Sequence, residues 1–328
     1  MASKIIFLSH DENRYSGANV ALLSFYNHCR VETKFITIKH GRPLIWNLII
    51  RLIKITQIVL KNKNAIYHLN TIDSLDIAIY LHLLKVDYTL HIHETMQYIG
   101  VNKIKILNKF RIKTVVVDSR LKNIISNNIQ INNLFDLDQL CYKKEYIKNS
   151  VVFAIIGTID ENKNQLSALH IFKDLSSSQN DKLLIIGKIT DYKYKKILDK
   201  YITENSLNVT FAHNIDRQIL HSKYDVLLAT SNYESYGLAV SEAIAFQKFI
   251  IFRDINAYPN LRPYTNKSIS FVDLSSKQVQ KSMLFDHLEK NHSIHSNCTR
   301  LQIEQDRSTI DSINNYYNEN FNCNNPFQ

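Results

Sequence analysis

The chain has 328 residues, 45% hydrophobic and 21% charged, the composition of a soluble globular protein. Six glycines and four prolines exclude collagen-like and proline-rich architectures, and the apolar content excludes a wholly disordered chain. No run of about 18 apolar residues marks a membrane span.

The net charge of +10 is one-sided: residues 1–150 hold 21 Lys and Arg against 11 Asp and Glu, and residues 151–328 hold 19 of each. A basic half points to an anionic partner, whether nucleic acid, anionic lipid or a phosphorylated substrate. The cysteines Cys29, Cys141, Cys298 and Cys323 form no CxxC pair, so neither a zinc site nor a disulfide framework is signalled. The N-terminal apolar run is too short for a signal peptide, and a reducing cytoplasm is expected.

Short β-type runs alternate with helix-length segments from the first residues onward. The predicted strands of the first half are Lys4–Leu8, Lys34–Ile38, Ala65–Leu69, Tyr88–Ile92 and Thr114–Val117, with helices at Ser16–His28 and Ser74–Leu84. A polar stretch, Asn127–Ser150, reads as a linker. The series then restarts with strands Val151–Ile156, Lys182–Ile186, Asn208–Phe211, Tyr224–Ala229 and Phe249–Phe252, and helices Asn164–Leu175, Tyr192–Asn205 and Gly237–Phe246. Near-continuous apolar strands alternating with helices predict two doubly wound parallel α/β domains, with ligands at the strand C-termini. The expected division is 1–145, 146–300 and a C-terminal helix with an Asn-rich tail over 301–328.

Two segments concentrate the positive charge. Pro43–Asn64 has a wide apolar face and a narrow basic stripe, which suits a helix packed into the core. In Val101–Lys113, Lys103, Lys105, Lys109, Arg111 and Lys113 interleave with apolar residues, and this segment is the one expected to touch an anionic membrane.

The strongest motif is Ser231-Asn-Tyr-Glu-Ser-Tyr-Gly-Leu-Ala-Val-Ser-Glu-Ala-Ile-Ala, which follows an apolar strand and opens a helix at Gly237. Glu234 falls in the loop and Glu242 on the helix. The free N–H groups at Gly237 and Leu238 can receive phosphate oxygens, and carboxylates accept hydrogen bonds from sugar hydroxyls. Together they suit a nucleotide sugar.

On these residues the chain resembles glycosyltransferase family 4, a group of GT-B enzymes. Glu234-Ser-Tyr-Gly-Leu-Ala-Val-Ser-Glu242 matches the family's E-x7-E signature, with Tyr236 where Phe is usual. Val209-Thr-Phe-Ala-His-Asn-Ile-Asp, Tyr224-Asp-Val-Leu-Leu-Ala-Thr-Ser, Gly157-Thr-Ile-Asp-Glu-Asn-Lys-Asn-Gln165 and Leu184-Ile-Ile-Gly187 extend the resemblance over about residues 151–262. It implies a GT-B fold, two Rossmann-like domains facing across a cleft, with the second binding the donor. Glu242 is then the ribose-hydroxyl ligand, Glu234 the carboxylate near the donor sugar, and Lys163 the cation on the diphosphate. Tyr236, Gly237 and Leu238 offer backbone N–H groups. Gly157, Thr158 and Asn214 complete the donor site, although the family usually has Arg where Thr158 stands.

In the first half, Ser16-Gly17-Ala18-Asn19 falls where the family places a small glycine loop, so Gly17 is a further donor-site candidate. His91-Ile-His93-Glu94 ends a strand where the family often has a histidine facing the donor sugar. Alternation puts His91 and His93 on one side, and His93 is preferred as nearer the strand's end. Ser119 reads as a helix cap. Asp136-Leu-Asp138 matches a metal-binding DxD only by coincidence, since it falls in the linker. The catalytic assignments are Glu234, His93 and Lys163, with no metal and no other cofactor.

The resemblance implies a retaining, metal-independent hexosyltransferase. It would carry sugar from a nucleotide-diphosphate donor, UDP favoured, to a cell-surface glycan such as lipopolysaccharide or capsule. The basic half would hold a glycan or lipid-linked acceptor, with the enzyme cytoplasmic and peripheral at the inner face of a bacterial inner membrane. The alternatives are a GT-B nucleotide-sugar epimerase-like enzyme and a non-catalytic glycan- or nucleic-acid-binding protein. No nucleic-acid module is present, and nucleic acid is not an expected partner.

Overall fold

The structure is a computed structural model and describes residues 4–9, 17–38, 45–134, 150–246, 248–253, 271–273, 284 and 300–321. Ser16, Asp136, Asp138, Cys141, Cys298 and Cys323 lie outside the described residues. The chain forms two compact units, 1–135 together with 305–328, and 136–304.

In the first unit the elements are β1 (Lys4–Ser9), α1 (Gly17–His28), β2 (Glu32–Thr37), α2 (Ile45–Lys61), β3 (Ala65–Asn70), α3 (Leu75–Leu83), β4 (Tyr88–Ile92), α4 (Met96–Lys109), β5 (Thr114–Val116) and β6 (Asn128–Gln130). The sheet is parallel in the order β2-β1-β3-β4-β5-β6. The buried strands are apolar on both faces because helices cover both. One core joins β1, β3 and β4 to α3 and α4 through Ile6, Leu8, Tyr67, Leu81, Leu90 and Leu107. The other joins Ile5, Phe7, Leu22 and Phe25 to the C-terminal helix.

That helix, α9 (Arg300–Phe321), returns to the first unit from the far end of the sequence. It buries Ile313, Tyr316, Tyr317 and Phe321 against the sheet. Tyr316 hydrogen-bonds Thr89, Tyr317 hydrogen-bonds His68, and the Arg30 N–H donates to Asn314 Oδ1 at 2.9 Å. The stretch expected to be a linker from Asn127 in fact holds β6, and Ile131 and Leu134 are core residues. A three-residue edge strand reading Asn-Ile-Gln has too little apolar alternation to be seen in the sequence.

The second unit holds β7 (Val152–Ile156), α5 (Gln165–Leu175), β8 (Lys182–Ile186), α6 (Tyr192–Glu204), β9 (Val209–Ala212), α7 (Arg217–Leu220), β10 (Val226–Ala229), α8 (Leu238–Ala245), β11 (Phe249–Phe252) and β12 (Phe271–Asp273). Its parallel sheet runs β12-β11-β10-β7-β8-β9. The order reverses between β7 and β10. In the first sheet it reverses between β1 and β3. At such switch points the loops leaving two adjacent strands diverge to opposite faces and open a crevice beyond the strand ends, where ligands bind in this class of sheet.

Candidate functional site

The switch point of the second unit brings together the loop after β7 and the loop after β10. They are tied residue to residue: the Asn232 N–H donates to the Asn162 carbonyl at 2.7 Å, the Tyr233 N–H to Asn162 Oδ1 at 3.0 Å, and Thr230 Oγ1 to the Lys163 and Asn164 carbonyls. This lacing delivers the Lys163 ammonium onto Glu234 Oε1 in an ion pair. Ser231 Oγ donates to the same oxygen at 2.8 Å. The stem of Lys163 lies across Gly157: a Cβ there would fall 2.7 Å from Lys163 Cε. Gly187 is needed for a tighter approach, because a Cβ on it would fall 1.8 Å from the Gly157 carbonyl oxygen.

Thr158 hydroxyl donates to Asp160 Oδ2 at 2.5 Å, and the Lys163 N–H donates to Asp160 Oδ1 at 3.0 Å. Thr158 therefore shapes the loop and supplies no cation. Gly237, at φ 82°, caps α8, whose first-turn N–H groups lack intrahelical acceptors by construction. Tyr236 is buried beside it. Asn214 follows the edge strand β9 in the left-handed region and is exposed.

Glu242, on α8, is 6% exposed. His221 Nε2 sits 2.9 Å from Glu242 Oε2, and the Tyr224 hydroxyl sits 2.8 Å from His221 Nδ1. Phe246 stacks on the imidazole with ring centroids 4.5 Å apart. The network assigns Nε2–H as donor to the carboxylate and Tyr224 as donor to Nδ1. Sequence reasoning missed His221, because Leu-His-Ser-Lys-Tyr carries no spacing signal toward a glutamate 21 residues later. It also gave Ser231, Asn162 and Asn232 no role.

In the first unit the polar groups gather at the switch point between β1 and β3. Ser9 Oγ donates to Asn19 Oδ1 at 2.9 Å, and Asn70 Nδ2 donates to the same oxygen at 2.9 Å. Gly17 begins α1, two residues before Asn19. At the end of β4 the His91 and His93 rings lie on one side with centroids 3.9 Å apart, as the alternation requires. His91 shares a 3.1 Å hydrogen bond with His68, whose other nitrogen meets Tyr317. His93 is 8% exposed, and the Asn133 side chain lies against its ring.

Burial holds His68 and His93 at about 3 and His91 well below the ordinary histidine value. Burial pushes Glu94 up to about 7, against the Ile72 and His93 N–H groups that donate to its carboxylate. Ser119 opens a helical turn and is not its cap; Asp118 is, accepting from the Arg120 N–H at 3.0 Å.

The two basic segments differ in how they bury their apolar residues. On α4, Ile104 and Leu107 are buried, and Lys103 pairs with Asp73 at 3.3 Å. Lys105 and Lys109 form an exposed basic edge on a helix whose apolar side is turned inward, and Arg111 is exposed in the turn that follows. On α2, expected to pack into the core, Arg51 and Ile55 are the buried residues among the described side chains, and Leu48, Ile49, Ile50, Ile53 and Leu60 are exposed. The apolar face of α2 is wider than the surface that receives it. Among the described residues no helix is long and apolar enough to cross a membrane.

The geometry can be set beside known proteins. The family described as Glycosyl transferases group 1 matches residues 142–262, which contain the Lys163, Glu234 and Glu242 loops. No curated protein matches by sequence. Among solved structures, Anabaena Alr3699/HepE in complex with UDP and glucose superposes with a TM-score of 0.75 at 14% identity, over 98% of this chain and 99% of that one. Sucrose-phosphate synthase from Thermosynechococcus elongatus gives 0.68 at 13% identity, over 98% of both. WaaG, a glycosyltransferase involved in lipopolysaccharide biosynthesis, gives 0.58 at 11% identity, over 95% of this chain and 94% of that one. Residues 142–262 are thus similar to the group 1 glycosyltransferases, and the chain has the GT-B fold.

Proposed function

We propose that the protein is a retaining, metal-independent hexosyltransferase that moves a sugar from a nucleotide-diphosphate donor, UDP-sugar favoured, to a growing cell-surface glycan. The observation that carries this reading is the Lys163–Glu234 pair, held at the switch point by two interlaced loops beside the N-terminus of α8. A diphosphate at that helix end meets unsatisfied N–H groups and a favourable dipole. The Lys163 ammonium neutralises charge as it builds on the departing diphosphate, an interaction stronger in the transition state than in the ground state. Glu234 is then released from Lys163 to accept hydrogen bonds from the donor sugar's hydroxyls. Glu242, fixed by His221, accepts from the ribose.

Retention follows if the acceptor hydroxyl attacks from the face the diphosphate leaves, with the leaving oxygen taking the proton. That route needs no side-chain nucleophile. His93, held neutral by burial at the end of β4, is the first unit's candidate to meet the transferring sugar. The basic first unit suits a glycan acceptor on an anionic lipid carrier. The proposed location is the cytoplasm, peripheral at the inner face of a bacterial inner membrane, and the product a lipopolysaccharide or capsule glycan.

The test is nucleotide release from UDP-, GDP-, ADP- and TDP-sugars by wild type, Glu234→Ala and Lys163→Ala. Slow release from one donor is expected, falling about 10²–10³-fold in Lys163→Ala. A wild type that neither binds nor hydrolyses any donor overturns the reading.

A further inference from the structure

Among the described residues, no element covers the exposed face of α2. Taking about 100° per residue along a helix, Ile49, Ile53, Leu60 and Ile50 fall within one arc of about 100°, and Lys54 and Lys61 flank its edge. The four aliphatic residues are 42%, 52%, 62% and 48% exposed, and both lysines are exposed. The opposite side does the packing: Ile55 is fully buried, and Arg51 is paired with Asp76 at 2.8 Å.

The apolar area continues beyond α2. Arg51 bonds to Asp76, and the Thr56 hydroxyl lies 2.7 Å from that of Tyr80, so α2 and α3 run side by side in the same direction. Leu83 and Leu84, at the end of α3, are 66% and 44% exposed as well. Isolated exposed leucines are ordinary; six large aliphatic residues on two adjacent helices are not.

Along α2 and the segments flanking it in sequence, the charge has one sign. From residue 33 to residue 72 the sequence holds seven Lys and Arg and no Asp or Glu. A second copy of the chain on this face would set lysines against lysines, whereas a surface of anionic headgroups over an apolar interior matches both the rim and the centre of the patch. At 17 residues, about 25 Å of helix, α2 is suited to lie in a bilayer interface and too short to cross it.

We propose that the outer face of α2, with the end of α3, docks the protein on an anionic lipid bilayer. Ile49, Ile50, Ile53 and Leu60 enter the headgroup boundary, and Lys54 and Lys61 meet the phosphates. This sharpens the membrane location proposed above and does not depend on the sugar chemistry. It moves the contact away from α4, whose apolar side is committed to the core.

The helix carries its own reporter, because Trp46, in its first turn, is the only tryptophan of the chain. The full-length protein is titrated with vesicles of phosphatidylcholine alone or with phosphatidylglycerol, and binding is read by co-sedimentation and by Trp46 emission. Binding with a blue shift is expected on the phosphatidylglycerol vesicles, weakening as salt is raised. Ile50→Asp/Ile53→Asp lowers the bound fraction about tenfold or more. Lys54→Ala/Lys61→Ala lowers it about tenfold, and Lys105→Ala/Lys109→Ala leaves it unchanged.

All four substituted α2 positions are exposed, and unchanged thermal midpoints confirm that the variants fold. Absence of vesicle binding by wild type overturns the proposal, as does binding that only the α4 variant weakens. A dimer in solution that Ile50→Asp/Ile53→Asp dissociates shows that a second copy covers the face, and also overturns it. Donor hydrolysis without vesicles, assayed on the same proteins, separates the two readings: binding without hydrolysis fails the transferase reading alone, and hydrolysis without binding fails this one.

Discussion

The two sheets share a topology and differ in what they hold at the point where strand order reverses. In the second unit the reversal between β7 and β10 presents charge: an ammonium and a carboxylate in contact, a helix N-terminus, and loops locked by backbone hydrogen bonds. In the first unit the reversal between β1 and β3 presents neutral groups: a hydroxyl and two carboxamides bonded together, with the imidazoles of His91 and His93 at the end of the next strand. The topology supplies a crevice in both cases, and the side chains decide what it can take. The charged one suits an anion whose charge grows during reaction. The neutral one suits hydroxyl groups, which exchange hydrogen bonds without moving net charge into a buried place.

The sharpest way to separate the units is acid. The folded-state values of His68 and His93 are depressed to about 3 from 6.5, and His91 is depressed as well. The unfolded chain therefore binds these protons first, and stability is lost as pH falls below 6.5. Each histidine costs about 1.4 kcal/mol per pH unit once the unfolded form is protonated. Glu94 works the other way, since its folded value of about 7 lies above 4.5, so the folded state holds that proton more tightly between these values. Three protons against one leave the first unit losing stability between pH 6.5 and 4.5. Denaturant unfolding followed by Trp46 emission, which lies in that unit, should show a midpoint falling steeply over this range. A Trp46 transition as stable at pH 5 as at pH 7.5 would mean that the histidines are not buried as described.

In the second unit the comparison is between two glycines. Gly187→Ala sets a Cβ 1.8 Å from a backbone oxygen that cannot move without parting β7 from β8. About 3 kcal/mol or more of stability should be lost, read as a lower denaturant midpoint. Gly157→Ala shares the backbone strain, since φ is 148° there and 157° at Gly187, but its Cβ meets only the flexible stem of Lys163, at 2.7 Å. The smaller effect on folding should accompany about a tenfold fall in donor turnover, because the ammonium is pushed off its position while its charge is kept. Equal losses of stability in the two variants would contradict the close packing of Gly187 against Gly157.

The same contrast explains what could be read from the sequence. The second unit was legible because its chemistry is local: Glu234 and Glu242 flank one strand-to-helix turn, and Lys163 lies in one loop. The strands were legible because buried parallel strands are continuous apolar runs, and Lys182–Ile186 and Phe249–Phe252 fall where the pattern puts them. The first unit's polar cluster was not, since Ser9, Asn19 and Asn70 come from three elements and none has a distinctive spacing. The return of α9 to the first sheet depends on Tyr316 and Tyr317 finding Thr89 and His68, more than 220 residues away. The basic helices were assigned by the spacing of their cations among apolar residues. Which face of each meets the sheet is decided by packing, which leaves several aliphatic residues of α2 exposed and turns Ile104 and Leu107 of α4 inward.

The smallest effect tests whether the buried part of the charged site belongs to it. His221 occupies one oxygen of Glu242 through a bond anchored by Tyr224 and a stacked Phe246. If that bond sets the direction in which Glu242 meets the ribose, losing it should erase a preference and not merely loosen the fold. Wild type should bind the nucleoside diphosphate of its donor about tenfold more tightly than the 2′,3′-dideoxy form, the worth of one charge-assisted hydrogen bond. His221→Phe, which keeps the stack and removes the donor, should bring the two affinities together, and Glu242→Gln should do the same. A merely structural His221 would weaken both nucleotides equally and leave their ratio intact. If Glu242→Gln keeps the ratio, the ribose assignment itself is wrong; if only His221→Phe keeps it, Glu242 finds the ribose unaided.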